Sequence, residues 1–405
     1  INPTMLDIPY EEIEKIGGER VQLLYAEGYS LEDDTVDENL INEAQEVAKR
    51  ADVAVIFAGL PESYESEGYD RLHMSLPESH DKLISQVAGV QENTVVVLCN
   101  GAPVEMPWVD EVKGLFECYL SGQAGGAALA ELLFGMANPC GKLAETFPQK
   151  LSHNPSYLNF PGEDDRVEYR EGIFVGYRYY DKKDIEVLFP FGYGLSYTTF
   201  EYSDMHVDKK EIDDRETINV TVKVKNRGSL PGKEIVQLYV RDVESSVIRP
   251  EKELRGFEKV ELQPGEEKTV TFTLSKRDFA YYNVDIKDWY AETGDFEILV
   301  GKSSKDILLK DRVKVTSTVR IRKKFTRNST LGDLSEDPTG AEILKQMLEP
   351  LKQSSPLFAG LDEETHQMMM AVFKYMPLRN LITFSQGAFT EEMLDNLLEE
   401  LNKIG

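Results

Sequence analysis

A short polar segment, YESEGYDR at residues 64–71, places three carboxylates and one arginine around a single glycine. Glu65, Glu67 and Asp70 are residue types that can give and take protons, and a glutamate shielded from water can act as a general acid at neutral pH. The ordinary interpretation is a solvated loop closed by an interaction between Asp70 and Arg71, because exposed carboxylates mostly have no chemical role. Residue types alone favour that ordinary interpretation.

The position of this segment in the chain supports a functional interpretation without deciding it. It lies in a connection of about 18 residues, from Gly59 to Leu76, whereas strand-to-helix loops usually have about 2 to 6 residues. The connection follows an apolar run at residues 52–60 that is typical of a buried strand. Open α/β sheets bind their ligands at the carboxyl ends of parallel strands. A long loop at this place could therefore supply an acid to a pocket.

The first half of the chain alternates two periodic patterns. Continuous apolar runs typical of strands alternate with segments in which apolar residues recur every three or four positions, as in helices. The predicted strands are residues 21–29, 52–60, 93–100 and 114–120, and the predicted helices are residues 38–50, 77–90 and 125–135. This alternation predicts an α/β sandwich domain with a mostly parallel sheet over residues 1–200.

The pattern changes near Tyr197. Short alternating segments, separated by turns such as Asn226-Arg227-Gly228 and Pro264-Gly265, predict an antiparallel β-sandwich without helices over residues 201–318. A basic stretch and acidic helical segments follow, so residues 319–405 are predicted to be a helical C-terminal tail.

The composition limits the partners. The 405 residues carry a formal net charge of −27 at pH 7, so phosphate backbones and anionic lipids would be repelled. No apolar run approaches the roughly 18 residues that span a bilayer. We therefore expect neither a nucleic-acid partner nor a membrane partner. The histidines are scattered along the chain, which predicts no metal site, and no cofactor is expected.

The three cysteines, Cys99, Cys118 and Cys140, lack the spacing of a disulfide framework or a CxxC motif. They are predicted to be buried free thiols. Free thiols favour a reducing compartment, so the predicted location is cytoplasmic.

A glycine-rich segment, SGQAGG at residues 121–126, invites comparison with dinucleotide-binding loops. Gly122, Gly125 and Gly126 do not have the G-x-G-x-x-G spacing of that fingerprint. A tight turn with close packing of a helix against the sheet is favoured. A doubly wound nucleotide-binding domain stays open as an alternative.

Several longer motifs, taken in order, resemble the family-three glycoside hydrolases. They are SEGYDR (66–71), SGQAGGAALAELLFGMANPCGKLAETFP (121–148), YREGIFVGYRYYD (169–181) and FPFGYGLSYTTFEYSD (189–204). Two further motifs are similar to the fibronectin-type-III-like domain that ends many of these enzymes: PGKEIVQLYVRD (231–242) and RPEKELRGFEKVELQPGE (249–266). The resemblance covers nearly all of residues 1–315.

The resemblance implies a retaining β-glucosidase-type enzyme built from a (β/α)8 barrel, an α/β sandwich and the fibronectin-like domain. The glutamate before Gly-Tyr-Asp-Arg corresponds to Glu67, which the resemblance assigns as the general acid/base, with Glu65 as the reserve candidate. The nucleophile would lie on the barrel, and this chain has no segment for a barrel. We therefore expect a C-terminal portion of a longer enzyme that is inactive alone. No other substrate-binding residue is identified.

The implied partners are an oligosaccharide or β-glucoside substrate, the barrel portion of the same enzyme and a second copy in a homo-oligomer. One alternative is a non-catalytic carbohydrate-binding or scaffold protein that has kept this fold and lost the chemistry.

Overall fold

The computed structural model describes residues 3–31, 33–321, 324–338, 340–346, 368, 371–385 and 389–403. The chain forms two compact units, Ile1–Thr318 and Val319–Gly405. The first unit consists of an α/β part followed by a β-sandwich, and the second is helical. The predicted fold class is confirmed.

A three-stranded parallel sheet forms the centre of the α/β part, with β2 between its two neighbours. The strands are β1 (Ala54–Gly59), β2 (Thr94–Cys99) and β3 (Gly114–Glu117). The helices are α1 (Pro9–Gly17), α2 (Glu38–Ala48), α3 (Glu78–Ala88), α4 (Gly125–Leu133) and α5 (Tyr177–Lys182), and a short antiparallel pair joins β4 (Phe147–Pro148) to β5 (Val187–Phe189). Successive residues Val96, Val97 and Leu98 are all fully buried. Both faces of β2 are therefore covered, which explains its continuous apolar run.

A side-chain cap starts α2, and apolar faces attach α2 and α3 to the sheet. The side chain of Asp37 accepts the backbone N–H groups of Asn39 at 2.8 Å and of Leu40 at 3.4 Å, so α2 begins there. Ile41 on α2 and Ile84 on α3 then belong to the same buried cluster as the sheet. These helices hold the sheet whose strand ends carry the candidate site.

The predicted strand at residues 21–29 is wrong, because this segment forms no strand. Gly28 has a φ of +78°, and a Cβ at that position would lie 2.7 Å from Leu83 on α3. The ring of Tyr29 packs 3.9 Å from that of His80, and its hydroxyl donates to the carbonyl of Phe57 at 3.1 Å. The segment therefore attaches to the domain through side chains and one close glycine contact.

Two antiparallel sheets pack face to face in the β-sandwich. One has the order β10-β9-β14-β15-β7 and the other β11-β8-β6, with a separate hairpin of β12 and β13. The bounds are β6 (Phe200–Val207), β7 (Glu211–Asp213), β8 (Ile218–Asn226), β9 (Gly232–Asp242), β10 (Glu253–Leu262), β11 (Glu267–Leu274), β12 (Tyr281–Asn283), β13 (Asp288–Tyr290), β14 (Gly294–Gly301) and β15 (Ile307–Thr316). Alternate residues such as Val220, Val222 and Val224 are buried, as a two-layer sandwich requires.

The sandwich differs from the prediction in two details. A one-turn helix, α6 (Lys276–Phe279), interrupts the strands, because Ser275 and Asp278 form a capping box that starts a helix. The short strand β7 pairs in parallel with β15, although the other strand pairs of the two sheets are antiparallel. The prediction of a sandwich without helices is wrong at this turn.

Buried polar contacts join the α/β part to the sandwich. The ammonium of Lys142 lies 3.0 Å from the carboxylate of Glu234 on β9, and both side chains are largely buried. On the same strand, the amide nitrogen of Gln237 donates to the carbonyl of Gly192 at 2.9 Å and to that of Lys302 at 2.6 Å. Such buried groups need their partners, so the two parts stabilise each other.

The second unit is helical in the part that the structure describes. Its helices include α7 (Leu331–Glu336), Asn380–Phe384 and Glu391–Lys403, and residues 340–346 and 371–374 are also helical. Residues 347–367 of the predicted tail lie outside the described residues. Buried leucines such as Leu334, Leu378 and Leu394 form its core. Across the described residues of both units, no helix is long and apolar enough to span a bilayer.

Candidate active site

The carboxyl ends of the three parallel strands bring the polar residues of the α/β part together. The predicted loop leaves β1, Asn100 and Gly101 follow β2, and Glu117 is the last residue of β3. The central position of β2 places its end between the other two. Carboxylates from both neighbours reach residues after β2, as the contacts described next demonstrate.

Glu65 is anchored to the end of β2. Its side chain is half-buried, and its Oε2 accepts the backbone N–H of Gly101 at 2.7 Å. A Cβ at position 101 would lie 2.8 Å from Oε1 of Glu65. Only glycine therefore leaves room for the carboxylate in this arrangement.

Glu67 lies two residues further, at the tip of the loop. Ser66 and Tyr69 pair as an isolated antiparallel bridge, so Glu67 and Gly68 form the turn between them. The hydroxyl of Tyr69 donates to the carbonyl of Glu62 and holds one side of this tip. The side chain of Glu67 is exposed, and no hydrogen bond or ion pair to it is found among the described residues. Glu67 therefore projects from a braced turn with both carboxylate oxygens available.

The ion pair between Asp70 and Arg71, on which the ordinary interpretation depends, is not formed in the described structure. Asp70 is exposed, whereas Arg71 is half-buried and donates from Nη1 to the carbonyl of Pro103 at 3.2 Å. Burial lowers the pKa of Arg71, and the negative charge of Glu65 partly opposes this shift. The guanidinium of Arg71 therefore contacts the segment after β2 and does not pair with Asp70.

Glu117 is an additional carboxylate that the sequence analysis missed. Its oxygens accept the backbone N–H of Tyr119 at 3.0 Å and the side-chain amide of Asn100 at 3.2 Å. Burial raises the pKa of Glu117 to about 7, and the charges of Glu145 and Glu65 add to the effect. Such a group is partly protonated at neutral pH. The available signal was one acidic residue inside the apolar strand run GLFECYL.

Glu145 completes this acidic cluster and was also missed. It lies just before β4, and burial, followed by the charge of Glu65, raises its pKa. Glu65, Glu117 and Glu145 come from three separate stretches of the chain. Their mutual repulsion favours protonation of the more buried members. In the described part of the chain, no group of three His, Cys, Asp or Glu residues is placed to hold a metal ion.

A cavity of about 310 Å³ opens beside the base of the loop. Tyr29, Asp34, His80 and Cys99 are among the residues that line it. The backbone N–H of Gly59 points at Nδ1 of His80 at 3.5 Å, and burial lowers the pKa of this histidine to about 4. His80 is therefore neutral at physiological pH, which suits a residue that packs under an aromatic ring.

The other two sequence predictions for this region are partly corrected. The three cysteines are free, but Cys99 is exposed and Cys118 and Cys140 are half-buried, because Cys99 ends β2 where the sheet meets the loop. A Cβ on Gly126 would collide with the backbone of Asp7, so the close approach at this glycine is to the segment before α1 and not to the sheet.

Known proteins share this architecture. Residues 1–197 match the glycosyl hydrolase family 3 C-terminal domain, and residues 234–304 match the fibronectin type III-like domain. Thermostable beta-glucosidase B of Acetivibrio thermocellus is 63% identical over the full chain, which covers 53% of that enzyme. An exo-alpha-(1->6)-L-arabinopyranosidase of Bifidobacterium breve is 44% identical over 79% of the chain and 42% of that enzyme.

A solved structure agrees with the sequence relatives. The crystal structure of a GH3 beta-glucosidase from Bifidobacterium adolescentis superposes with a TM-score of 0.78 at 41% identity, and the match covers 85% of this chain and 50% of that one. The chain thus spans about half the length of the relatives that it matches. The resemblance carried by the motifs is confirmed, and the chain belongs to glycoside hydrolase family 3, with the family's C-terminal domain followed by its fibronectin-type-III-like domain.

Proposed function

We propose that this chain is the C-terminal portion of a retaining, exo-acting β-glucosidase. The enzyme would remove terminal β-linked glucosyl or related residues from oligosaccharides and glycosides. Glu67 would supply the general acid/base, and a (β/α)8 barrel portion of the same enzyme would supply the nucleophile. The relatives named above are glycosidases, and the braced loop tip that presents Glu67 is the observation that carries the proposal.

The proposed chemistry needs two carboxyl groups about 5 to 5.5 Å apart on opposite sides of the glycosidic bond. The nucleophile attacks the anomeric carbon while Glu67 gives its proton to the leaving oxygen, so one C–O bond forms as the other breaks. Glu67, now a carboxylate, then takes a proton from water. That water attacks the same carbon, releases the nucleophile and yields the sugar with retained configuration.

The choice of Glu67 over Glu65 depends on what each carboxylate already binds. Oε2 of Glu65 accepts the N–H of Gly101 at 2.7 Å, so this carboxylate is already held against the segment after β2. A carboxylate anchored to the backbone in this way is poorly placed to reach a substrate. Glu67 has no such partner in the described structure and lies at the tip, where a sugar held by a second domain could reach it.

The test uses a fusion enzyme, which joins residues 1–405 to the half of thermostable beta-glucosidase B that this chain does not match. We expect the fusion enzyme to hydrolyse nitrophenyl β-glucoside and the isolated chain to be inactive, because the proposed nucleophile lies on the barrel portion. Glu67→Ala should lower the rate on a β-linked glucose disaccharide by about 10² to 10⁴-fold. Dinitrophenyl β-glucoside should suffer less in the first step, because its leaving group needs little protonation.

Azide distinguishes an acid/base residue from a structural one. It attacks the anomeric carbon without giving up a proton, so it needs no base. With Glu67→Ala, azide should accelerate turnover of dinitrophenyl β-glucoside and yield β-glucosyl azide. Glu62→Ala, an exposed glutamate on the same loop, is the matched control and should behave like the unchanged fusion enzyme. Azide rescue of Glu65→Ala, with Glu67→Ala fully active, would move the assignment to Glu65. A fusion enzyme that binds glucosides but never cleaves them would support the non-catalytic alternative.

A further inference from the structure

The loop that carries Glu67 runs alongside the segment after β2 and is attached to it four times. Backbone hydrogen bonds join Leu60 to Cys99 at 3.1 Å and Glu105 to Met74 at 2.9 Å, one at each end of the loop. Between them, the side chain of Glu65 binds the Gly101 amide and that of Arg71 binds the Pro103 carbonyl. The four attachments therefore occur in the same order along both segments. The outer two join backbone groups, and the middle two are made by the side chains of Glu65 and Arg71.

We infer that Glu65 and Arg71 are positioning residues that clamp the two sides of the tip, residues 66–70, and so fix the orientation of Glu67. This inference rests on the proposed function. The clamp residues lie immediately before and after the tip, and the described structure shows no other attachment of the tip to the segment after β2. Loss of either clamp would let Glu67 move relative to the sheet while the ends of the loop stayed in place.

The Glu65 clamp depends on Gly101 as much as on the carboxylate. A Cβ on residue 101 would lie within 3.0 Å of both carboxylate oxygens of Glu65. Alanine at this position would therefore displace the Glu65 carboxylate without any substitution in the loop. Gly101→Ala, in the segment after β2, should therefore have the same effect as Glu65→Ala on the loop. Gly141 provides a matched control, because it has ordinary φ and a Cβ there would meet nothing within 4 Å.

Charge and anchoring can be separated at Glu65. The charged groups that face it are Arg71 on its own loop, Glu117 at the end of β3 and Glu145 before β4. Glutamine keeps an oxygen that can accept the Gly101 N–H but removes the negative charge. Glu65→Gln should therefore preserve the clamp, and it should also lower the pKa of Glu117, because one of the charges that raises it is gone.

The kinetic test uses the fusion enzyme. Glu65→Ala and Gly101→Ala should each lower kcat for the β-linked disaccharide by about 10 to 100-fold, with a smaller change in KM, because a displaced acid protonates poorly. Glu65→Gln should keep most of the activity, and Gly141→Ala should keep all of it. Neither Glu65→Ala nor Gly101→Ala should form β-glucosyl azide, because Glu67 is still present to activate water and its charge opposes an anion.

A second measurement on the 405-residue chain does not need activity. Trypsin cleavage after Arg71 requires that this arginine leave Pro103, so Glu65→Ala should be cut at Arg71 faster than Glu65→Gln. Equal cleavage together with full kcat in Glu65→Ala would overturn the clamp and leave the role of Glu67 intact. Azide rescue of Glu65→Ala would instead overturn both, because Glu65 would then be the acid/base.

Discussion

Glu117 should make the α/β part less stable as pH rises from about 5 to 8. Its pKa is about 7 in the folded chain, against an ordinary value of 4.5. The folded state therefore holds this proton more tightly than the unfolded state does, and the unfolding free energy falls with rising pH until Glu117 is fully ionised. Above its folded pKa, the whole cost of burying the charge remains.

The magnitude follows from the two pKa values. Between pH 5.5 and pH 8, a shift from 4.5 to about 7 changes the unfolding free energy by about 2 kcal/mol. Glu117→Gln removes the ionisation. The difference in unfolding free energy between Glu117→Gln and the unchanged chain should therefore grow by about 2 kcal/mol over this range. The two proteins must be compared at each pH, because His80 also affects the pH dependence of stability. Its pKa is lowered to about 4, so its contribution to the unfolding free energy rises with pH while that of Glu117 falls.

The assay can be confined to the α/β part by fluorescence. The chain has two tryptophans; Trp108 is fully buried in the same cluster as the sheet, and Trp289 packs against the core of the sandwich. In a Trp289→Phe background, urea unfolding followed at Trp108 reports on the part that holds Glu117. The exposed Glu43 on α2 gives the control, Glu43→Gln. A difference that stays constant from pH 5.5 to pH 8 would refute the account of burial and repulsion at Glu117.

Three other changes probe packing and charge elsewhere in the first unit. Glu234→Ala leaves the buried ammonium of Lys142 without the carboxylate 3.0 Å away, and the unfolding free energy measured in urea should fall by about 3 to 5 kcal/mol. The double variant Lys142→Met/Glu234→Leu should lose much less, and an equal loss would contradict the reasoning. Phe296→Ala removes a fully buried ring that lies 5.3 Å from the ring of Phe279, and unfolding followed at Trp289 should record about 3 to 5 kcal/mol; a loss below about 1 kcal/mol would mean that the core refills the space. His80 itself should contribute a loss of about 1 kcal/mol of unfolding free energy as pH falls from 8 to 5.5, because its folded pKa near 4 disfavours protonation. His80→Gln should remove this contribution, and a pH dependence at Trp108 that His80→Gln leaves unaltered would contradict it.

The parts of the fold predicted correctly from sequence are those decided by local burial. Both faces of β2 are covered, so its successive residues, such as Val96 and Val97, are all apolar and buried. This continuous apolar run can be recognised in the sequence. The segment at residues 21–29 also contains several apolar residues, but the strand predicted for it is not formed. Its fate depends on the positive φ of Gly28 and on contacts of Tyr29 with α3, and no periodic pattern carries that information.

The site was predictable only as far as one loop. Its length and its place after β1 marked it, whereas its internal organisation depends on which backbone groups lie beside it. The anchor of Glu65 is an amide 36 residues away, and the pKa of Glu117 depends on Glu145 and Glu65. Such pairs become neighbours only through the order of strands in the sheet. A pattern of residue types along the chain cannot specify those distances.

The buried contacts of Lys142 and Gln237 have a consequence for how such chains can be recombined. A break point placed near residue 200 would separate Lys142 from Glu234 and Gln237 from Gly192. The buried ammonium of Lys142 would lose its carboxylate, and the amide of Gln237 would lose one of its two carbonyl acceptors. Exchanging the β-sandwich alone between relatives therefore requires that β9 of the new sandwich carry a carboxylate at the position of Glu234 and an amide at the position of Gln237. Successful chimaeras should inherit the α/β part and the sandwich together, as one transferable block.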